Sequence, residues 1–397
     1  MSGSVLIYVQ YLLGIGHLQR VRWIAEALAR DGIAVTLVCG GAPIAGLSHP
    51  GLRFVQLEPV RAHDARFELL DSAGNPLDDG LRRRRRAALL DAFEATRPEA
   101  VVIEGFPFAR RAFRFELDPL IAAVRAARPR PRLICSVRDI VVVRDDPARH
   151  REVVERVRAD FDAVLVHGDP EFITFEASFP AAPEIADRLV YTGYVAPPGN
   201  VPAAAPGSRG GDVIVSGGGG PAGRALLAAA LEARKRGCLP ESPWRLLTGA
   251  NLPEVEFAAL SREAPAGVTV ERFRHDFRSL LRDCRVSVSQ AGYNTVLDVL
   301  AARARAVLVP FAAERETEQL LRAERLAARG VAQLVRETEL SPQRLAEAIE
   351  RAAARPPVPI SIDTDGAARS ARLIVAMIAR DGAAPGFAAA SGRSIIG

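Results

Sequence analysis

Short β-branched runs alternate with stretches rich in alanine, leucine and arginine along most of the chain, a pattern that predicts parallel strands covered by helices. In the first half the strands fall at "VLIYV" (5–9), "AVTLVC" (34–39), "RFVQL" (53–57), "AVVIE" (100–104), "RLICSV" (132–137), "AVLVHG" (163–168) and "LVYTGY" (189–194). After the first run, Val21, Ile24, Ala25 and Leu28 recur at i, i+3, i+4 and i+7, which predicts a helix with one apolar stripe. Residues 196–211, "APPGNVPAAAPGSRGG", have no periodicity and read as a linker. The rhythm then restarts with "DVIVS" (212–216), a loop "GGGGPAG", and a helix over 224–235. Further strands are expected at "WRLLTG", "VTVERF", "RVSVS", "AVLVP" and "VAQLV", and a last amphipathic segment carries Leu373, Ile374, Met377 and Ile378 on one face.

Two strand–glycine–helix openings, one per half, predict an α/β chain of two Rossmann-like parallel-sheet domains facing each other across a cleft. Ligands then lie at the carboxyl ends of the strands. The expected organisation is a first domain over 1–195, a linker over 196–211 and a second domain over 212–355. A helix within 356–380 is expected to pack back on the first domain, ahead of a flexible tail, 381–397.

Composition narrows the function. A length of 397 residues suits two domains, and a net charge of +5 over that length carries no nucleic-acid footprint. Cys39, Cys135, Cys238 and Cys284 form no C-x-x-C pair, so neither a zinc site nor a disulfide framework is expected; scattered thiols fit a reducing cytoplasm. The first apolar run lacks the features of a leader, and no apolar stretch approaches the ~20 residues that span a bilayer. A cytoplasmic protein is expected, at most peripheral to the inner membrane. The run "RRRRR" (82–86) would point all round a helix and reads first as a solvated helix start; the minority reading is attraction to an anionic membrane surface or a charged acceptor.

Four motifs carry chemistry. In "GIGHLQR", Gly14 and Gly16 fit a dinucleotide fingerprint, but Gln19 replaces its third glycine, and the second strand ends "VCGG" with no acid for a ribose. A nicotinamide cofactor is disfavoured. His17 falls near a helix N-terminus, where orphan amides favour a neutral imidazole that can accept a proton or bind a hydroxyl. A capping or packing histidine is the plainer alternative. In "SGGGGPAG", Ser216, Gly217, Gly218, Gly219 and Gly220 join a strand to a helix, so their amides can approach a diphosphate; a flexible turn is the alternative. In "SQAGYNTVLD", Gln290, Ala291 and Gly292 follow a strand, Asn294 and Thr295 open a helix, and Asp298 can accept from two vicinal hydroxyls or simply complement the dipole. In "PFAAERETEQ", Glu314, Glu318 and Gln319 follow a strand and are expected to line the cleft, or to form a solvated helix face.

Together "YVQYLLGIGHLQR", "GGGG", "QAGYNTVLD" and "PFAAERETEQLLRA" resemble the MurG-like glycosyltransferases of family 28, over roughly residues 4–355. The resemblance is nearest to a branch whose loop also reads G-x-G-H-x-x-R. It implies a GT-B fold, with the donor in the C-terminal domain and the acceptor on the N-terminal one. It also implies that Gly217 to Gly220 contact the diphosphate and that backbone near Phe273 and Arg274 reads the base. Asp298 stands where the family usually has a ribose-binding glutamate. Glu318 and Gln319 stand near paired glutamines that hold the donor sugar, of which one glutamine is kept.

The activity so implied is an inverting, metal-independent transfer of a sugar from a nucleotide diphosphate to an acceptor hydroxyl, with no cofactor. Gly14 and Gly16 clear space for the acceptor, whose identity stays open. His17 is the first candidate for the base and Glu104 the second, and Asp139 in "SVRDI" is also expected to reach the cleft. A nucleotide-sugar hydrolase or epimerase on the same fold is the alternative, and a non-catalytic nucleotide-sugar-binding protein a lesser one.

Overall fold

The first apolar run becomes β1 (Ser4–Val9), whose side chains alternate between two buried faces. Leu6 and Tyr8 enter one core, while Val5, Ile7 and Val9 enter the other, as a parallel sheet covered on both sides requires. The computed structural model describes residues 3–12, 15–44, 48–62, 68–142, 146–197, 211–218, 223–249, 252–274, 276–311 and 317–379. Gly14, Gly219, Gly220 and Glu314, most of the proline-rich connection and the tail 381–397 lie outside them.

The chain divides into two units, Met1–Pro197 with Ile362–Gly397, and Pro198–Ser361. In unit 1, β1 is followed by α1 (Gly16–Arg30), β2 (Ala34–Cys39), β3 (Leu52–Gln56), a small hairpin of β4 (Arg61–Ala62) and β5 (Leu69–Leu70), and α2 (Asp79–Thr96). Then come β6 (Ala100–Glu104), α3 (Arg114–Ala126), β7 (Arg132–Arg138), α4 (Pro147–Asp160), β8 (Ala163–His167) and β9 (Leu189–Tyr191). The main sheet has seven parallel strands in the order β3-β2-β1-β6-β7-β8-β9.

Unit 2 runs β10 (Val213–Ser216), α5 (Arg224–Lys235), β11 (Trp244–Leu247), α6 (Glu254–Glu263), β12 (Val268–Glu271), α7 (Phe277–Asp283) and β13 (Val286–Ser289). It continues with α8 (Tyr293–Ala301), β14 (Ala306–Leu308), α9 (Glu318–Ala328), β15 (Ala332–Leu334) and α10 (Pro342–Ala354). Its six parallel strands are ordered β12-β11-β10-β13-β14-β15. Both orders are Rossmann-like, with the first strand of each unit beside its fourth main-sheet strand. The last helix, α11 (Gly366–Ala379), belongs to unit 1, where Ala371, Ile374 and Met377 pack into the core lined by Val21, Ile24 and Leu28 of α1.

The arginine run corrects its leading reading at one position. Asp78 caps α2 by accepting from the Leu81 amide, and Arg82, Arg83, Arg84 and Arg86 are exposed. Arg85 is fully buried: it faces inward one turn after Leu81 and one before Leu89, both in the core. Among the described residues no helix is long and apolar enough to cross a membrane.

Candidate functional site

In unit 1 the strand order reverses between β1 and β6, and the loops leaving these neighbours diverge at their carboxyl ends. β1 leads into α1, whose first turn holds His17, and β6 ends in Glu104. The two side chains meet, with His17 Nδ1 3.0 Å from Glu104 Oε1. Glu104 is fully buried, whereas the His17 side chain is 23% exposed. Arg20, one turn along α1, hydrogen-bonds Glu104 Oε1 through Nη2, and Ser136 Oγ donates to Glu104 Oε2. Beside them Arg110 sits at φ +62°, in the left-handed region, its Nε donating to the Gln10 carbonyl at 2.8 Å. Strained backbone of this kind clusters at functional sites.

These contacts set the charge states. Burial alone would raise the Glu104 carboxyl, but Arg20 and the hydrogen bond from His17 outweigh it and hold the group far below the usual carboxylate range. Burial first, and then Arg110, lower His17 to about 3 against the pull of Glu104. An ionised carboxylate only accepts, so the ring proton sits on Nδ1 and the lone pair on Nε2. Among the described residues nothing hydrogen-bonds that Nε2. The arrangement is a neutral imidazole oriented by a carboxylate, with one nitrogen lone pair able to accept a proton.

Asp139 corrects the sequence reading. It is fully buried and accepts from the Tyr194 hydroxyl at 3.0 Å, so it is not presented to a substrate. Glu104, expected to reach open space, instead lies beneath His17. Gly16 is the first residue of α1.

Unit 2 repeats the switch point between β10 and β13. Ser216 ends β10, Gly217 follows, and Gly218 adopts φ +74° with Gln290 against it, where a Cβ would lie 3.0 Å from Gln290 Oε1. Gly292 caps α8, and Asn294 and Thr295 lie in its first turn. Asn294 Oδ1 is buried without a hydrogen-bond partner among the described residues. Asp298 Oδ1 lies 3.2 Å from Arg278 Nε, and burial, opposed by Arg278, raises Asp298 to about 6.

Gln319 ties two loops together, its Oε1 accepting from the Ala291 amide at 3.1 Å and the Phe311 amide at 3.2 Å. Its Nε2 makes no hydrogen bond among the described residues. Glu318, expected to line open space, is 3% exposed and pairs with Arg322 at 2.9 Å, while Arg322 also donates to the Ala291 carbonyl. Phe273 is 62% exposed, and Arg274 is held by Asp276 and Glu271. Among the described residues no group of three or more His, Cys, Asp or Glu side chains is placed to hold a metal ion.

Comparison with known proteins decides what this arrangement is. The family model for the glycosyltransferase family 28 C-terminal domain matches residues 213–375. The UDP-N-acetylglucosamine--N-acetylmuramyl-(pentapeptide) pyrophosphoryl-undecaprenol N-acetylglucosamine transferase of Phenylobacterium zucineum is 29% identical over 269 residues, 64% of this chain and 70% of that protein. Its namesake from Brucella canis is 34% identical over 113 residues, 28% of this chain and 30% of that protein. Among solved structures, Acinetobacter baumannii MurG superposes with a TM-score of 0.59 at 16% identity, covering 94% of this chain and 100% of that one. The calicheamicin glycosyltransferase CalG4 gives 0.60 at 18% identity and 95% coverage of both chains.

The chain carries a glycosyltransferase family 28 C-terminal domain over residues 213–375 and is similar to MurG-like glycosyltransferases.

Its GT-B fold is thus two Rossmann-like units, each with polar groups gathered at its own switch point. Sequence reasoning missed four partners of the transferase's His17–Glu104 pair. Arg20 was within reach, because G-x-G-H-x-x-R places it one helical turn from His17. Ser136 and His167 were signalled only as polar residues near the ends of apolar strands. Arg110 left no signal, since its role depends on the fold of the loop after β6.

Acid lability follows from two histidines, His17 and His167, that the fold holds neutral. Burial, then Arg20, lowers His167 to about 3, as burial and Arg110 do His17, from the ordinary 6.5. Between these values the unfolded chain binds two protons that the native one excludes, so the associated stability is complete above pH 6.5 and lost as pH falls toward 3. The slope is at most about 2.7 kcal/mol per pH unit. Asp298, raised from 3.8 to about 6, acts in the opposite sense in unit 2 and offsets about one of the two protons in that range if the units unfold together. Urea unfolding followed from neutral to mildly acidic pH measures this, and a His17→Gln/His167→Gln double variant should flatten the curve. An equally steep curve in the double variant would remove the histidines as its cause.

Proposed function

We propose that the chain transfers a sugar, with inversion and without a metal, from a nucleotide-diphosphate donor to an acceptor hydroxyl, with His17 as the base. The observation that carries this reading is the His17–Glu104 pair, a neutral imidazole whose Nδ1 is held by a buried ionised carboxylate and whose Nε2 has no protein partner among the described residues. In the proposed reaction the acceptor hydroxyl attacks the anomeric carbon and its proton passes to His17 Nε2, while Glu104 stabilises the imidazolium. The bond from the anomeric carbon to the diphosphate breaks, and the leaving group departs as an anion.

Unit 2 is assigned the donor. The Gly217 amide is committed to the Leu247 carbonyl at 2.9 Å, so the Gly218 amide and the start of α8 are the groups that would donate hydrogen bonds to the departing diphosphate. In this reading Asp298 takes the ribose hydroxyls and Gln319 Nε2 the donor sugar. Support for a nucleotide-sugar donor comes from the Phenylobacterium relative, whose name specifies UDP-N-acetylglucosamine, and from the related fold of VinC, solved with dTDP.

A thermal-shift screen across nucleoside diphosphates and their sugars tests the donor assignment, since a ligand binding only the native state raises Tm with occupancy. One nucleotide series should stand out, and its sugar should be consumed only with an acceptor present. A flat screen would overturn the donor assignment. Free sugar released without acceptor would make the chain a hydrolase.

A further inference from the structure

We propose that Ser136 and His167 are positioning residues for the reaction, holding Glu104 and through it fixing the tautomer and aim of His17. This rests on the reading of His17 as the base. Strand register creates the arrangement: Glu104 lies opposite Ser136, and Arg138, two residues on, lies opposite His167. Because side chains alternate along a strand, Glu104, Ser136 and His167 share the sheet face on which α1 packs. Ser136 is 1% exposed and His167 fully buried, at positions where a core would ordinarily take apolar residues.

The protons along this chain follow by elimination. Glu104 is ionised and can only accept, so the single Ser136 hydroxyl proton goes to Oε2. Ser136 Oγ must then accept from His167 Nε2, 2.8 Å away. Neutral His167 is left with a bare Nδ1, 2.9 Å from Thr192 Oγ1, a hydroxyl that also lies 2.9 Å from the Gly193 carbonyl. The donors from His167 onward therefore point toward one carboxylate: His167 to Ser136, Ser136 to Glu104, and His17 and Arg20 to Glu104 from the other side. With both carboxylate oxygens engaged, Glu104 cannot rotate away from His17 without leaving a buried donor unpaired. The two histidines consequently carry opposite tautomers, Nδ1–H on His17 and Nε2–H on His167.

The charged and titratable groups around the pair and its neighbour Arg110 are Arg20 on α1, Arg138 at the end of β7, His167 at the end of β8 and Tyr8 on β1. Ser136→Ala changes none of these charges. It removes one donor from Glu104, leaving more of the carboxylate's negative charge for His17, and so should shift the His17 titration to higher pH.

The test is nitrogen-15 NMR of histidine-labelled, ligand-free full chain, its six histidines assigned by single substitutions. Opposite tautomers are expected near neutral pH. In Ser136→Ala the His17 midpoint should rise and kcat fall about 10-fold with KM little changed, the loss expected for an outer partner of a catalytic group. Ser136→Thr, which keeps the hydroxyl, should restore both. Should Ser136→Ala not fold, His167→Phe and His167→Gln give the same reading, because only glutamine keeps a donor near Nε2. A proton on Nδ1 of His167, or a His17 titration unmoved in folded Ser136→Ala or His167→Phe, overturns the proposal. The tautomers are read without substrate, so loss of the relay and loss of the transferase reading are separate outcomes.

Discussion

Replacing His17 by alanine should lower turnover on the order of a thousandfold while nucleotide binding persists. Removing the imidazole deletes the acceptor for the hydroxyl proton, and Glu104 is too deeply buried to replace it. Folding should survive, because Arg20 still neutralises Glu104 from the same helix. Steady-state kcat with saturating donor, beside the nucleotide-induced Tm shift, separates the two effects. Full turnover in His17→Ala would sink the assignment of the base, and loss of nucleotide binding would show that the variant damages more than catalysis.

Arg85→Ala should destabilise unit 1 by about 3–5 kcal/mol, because deleting one member of a buried ion pair strands the other. Arg85 and Glu116 are both fully buried and joined by two bonds, Nε to Oε2 at 2.9 Å and Nη2 to Oε1 at 2.7 Å. Arg85 also reaches the Gly40 and Glu58 carbonyls and Gln10 Oε1, and the Tyr8 hydroxyl completes the cage on Glu116 at 2.5 Å. Lysine cannot reproduce this fork, so Arg85→Lys should be nearly as costly. Arg83→Ala, on the exposed side of α2, should stay within about 0.5 kcal/mol. Urea unfolding measures all three. A loss below about 1 kcal/mol in Arg85→Ala would mean that Glu116 finds another partner or takes up a proton. The network also bears on the site, since Gln10 follows β1 and its carbonyl receives Arg110.

Much of this was visible in the residues themselves. Short β-branched apolar runs marked the main-sheet strands, and the helix over 224–235 is found at those bounds. The hairpin β4–β5 left no trace, being two residues per strand and held by its neighbours rather than by its own pattern. His17 and Glu104 were both legible as chemistry, but their meeting is a consequence of β1 lying beside β6, and nothing in either motif encodes that neighbour. Asp139 and Glu318 show the limit most clearly. A polar residue after a strand reads as solvent-facing, yet the Tyr194 hydroxyl makes the burial of Asp139 tolerable and Arg322 does the same for Glu318. Arg85 was hidden for the opposite reason, since five like residues in a row conceal which one faces inward.

The return of α11 to unit 1 has a consequence for how the protein is made. The core on that side of the sheet needs Ala371, Ile374 and Met377 beside α1, so it stays open until α11 leaves the ribosome. Unit 2, Pro198–Ser361, is by then already synthesised. The helix that carries His17 is translated before unit 2, yet one of its packing partners, α11, follows that unit.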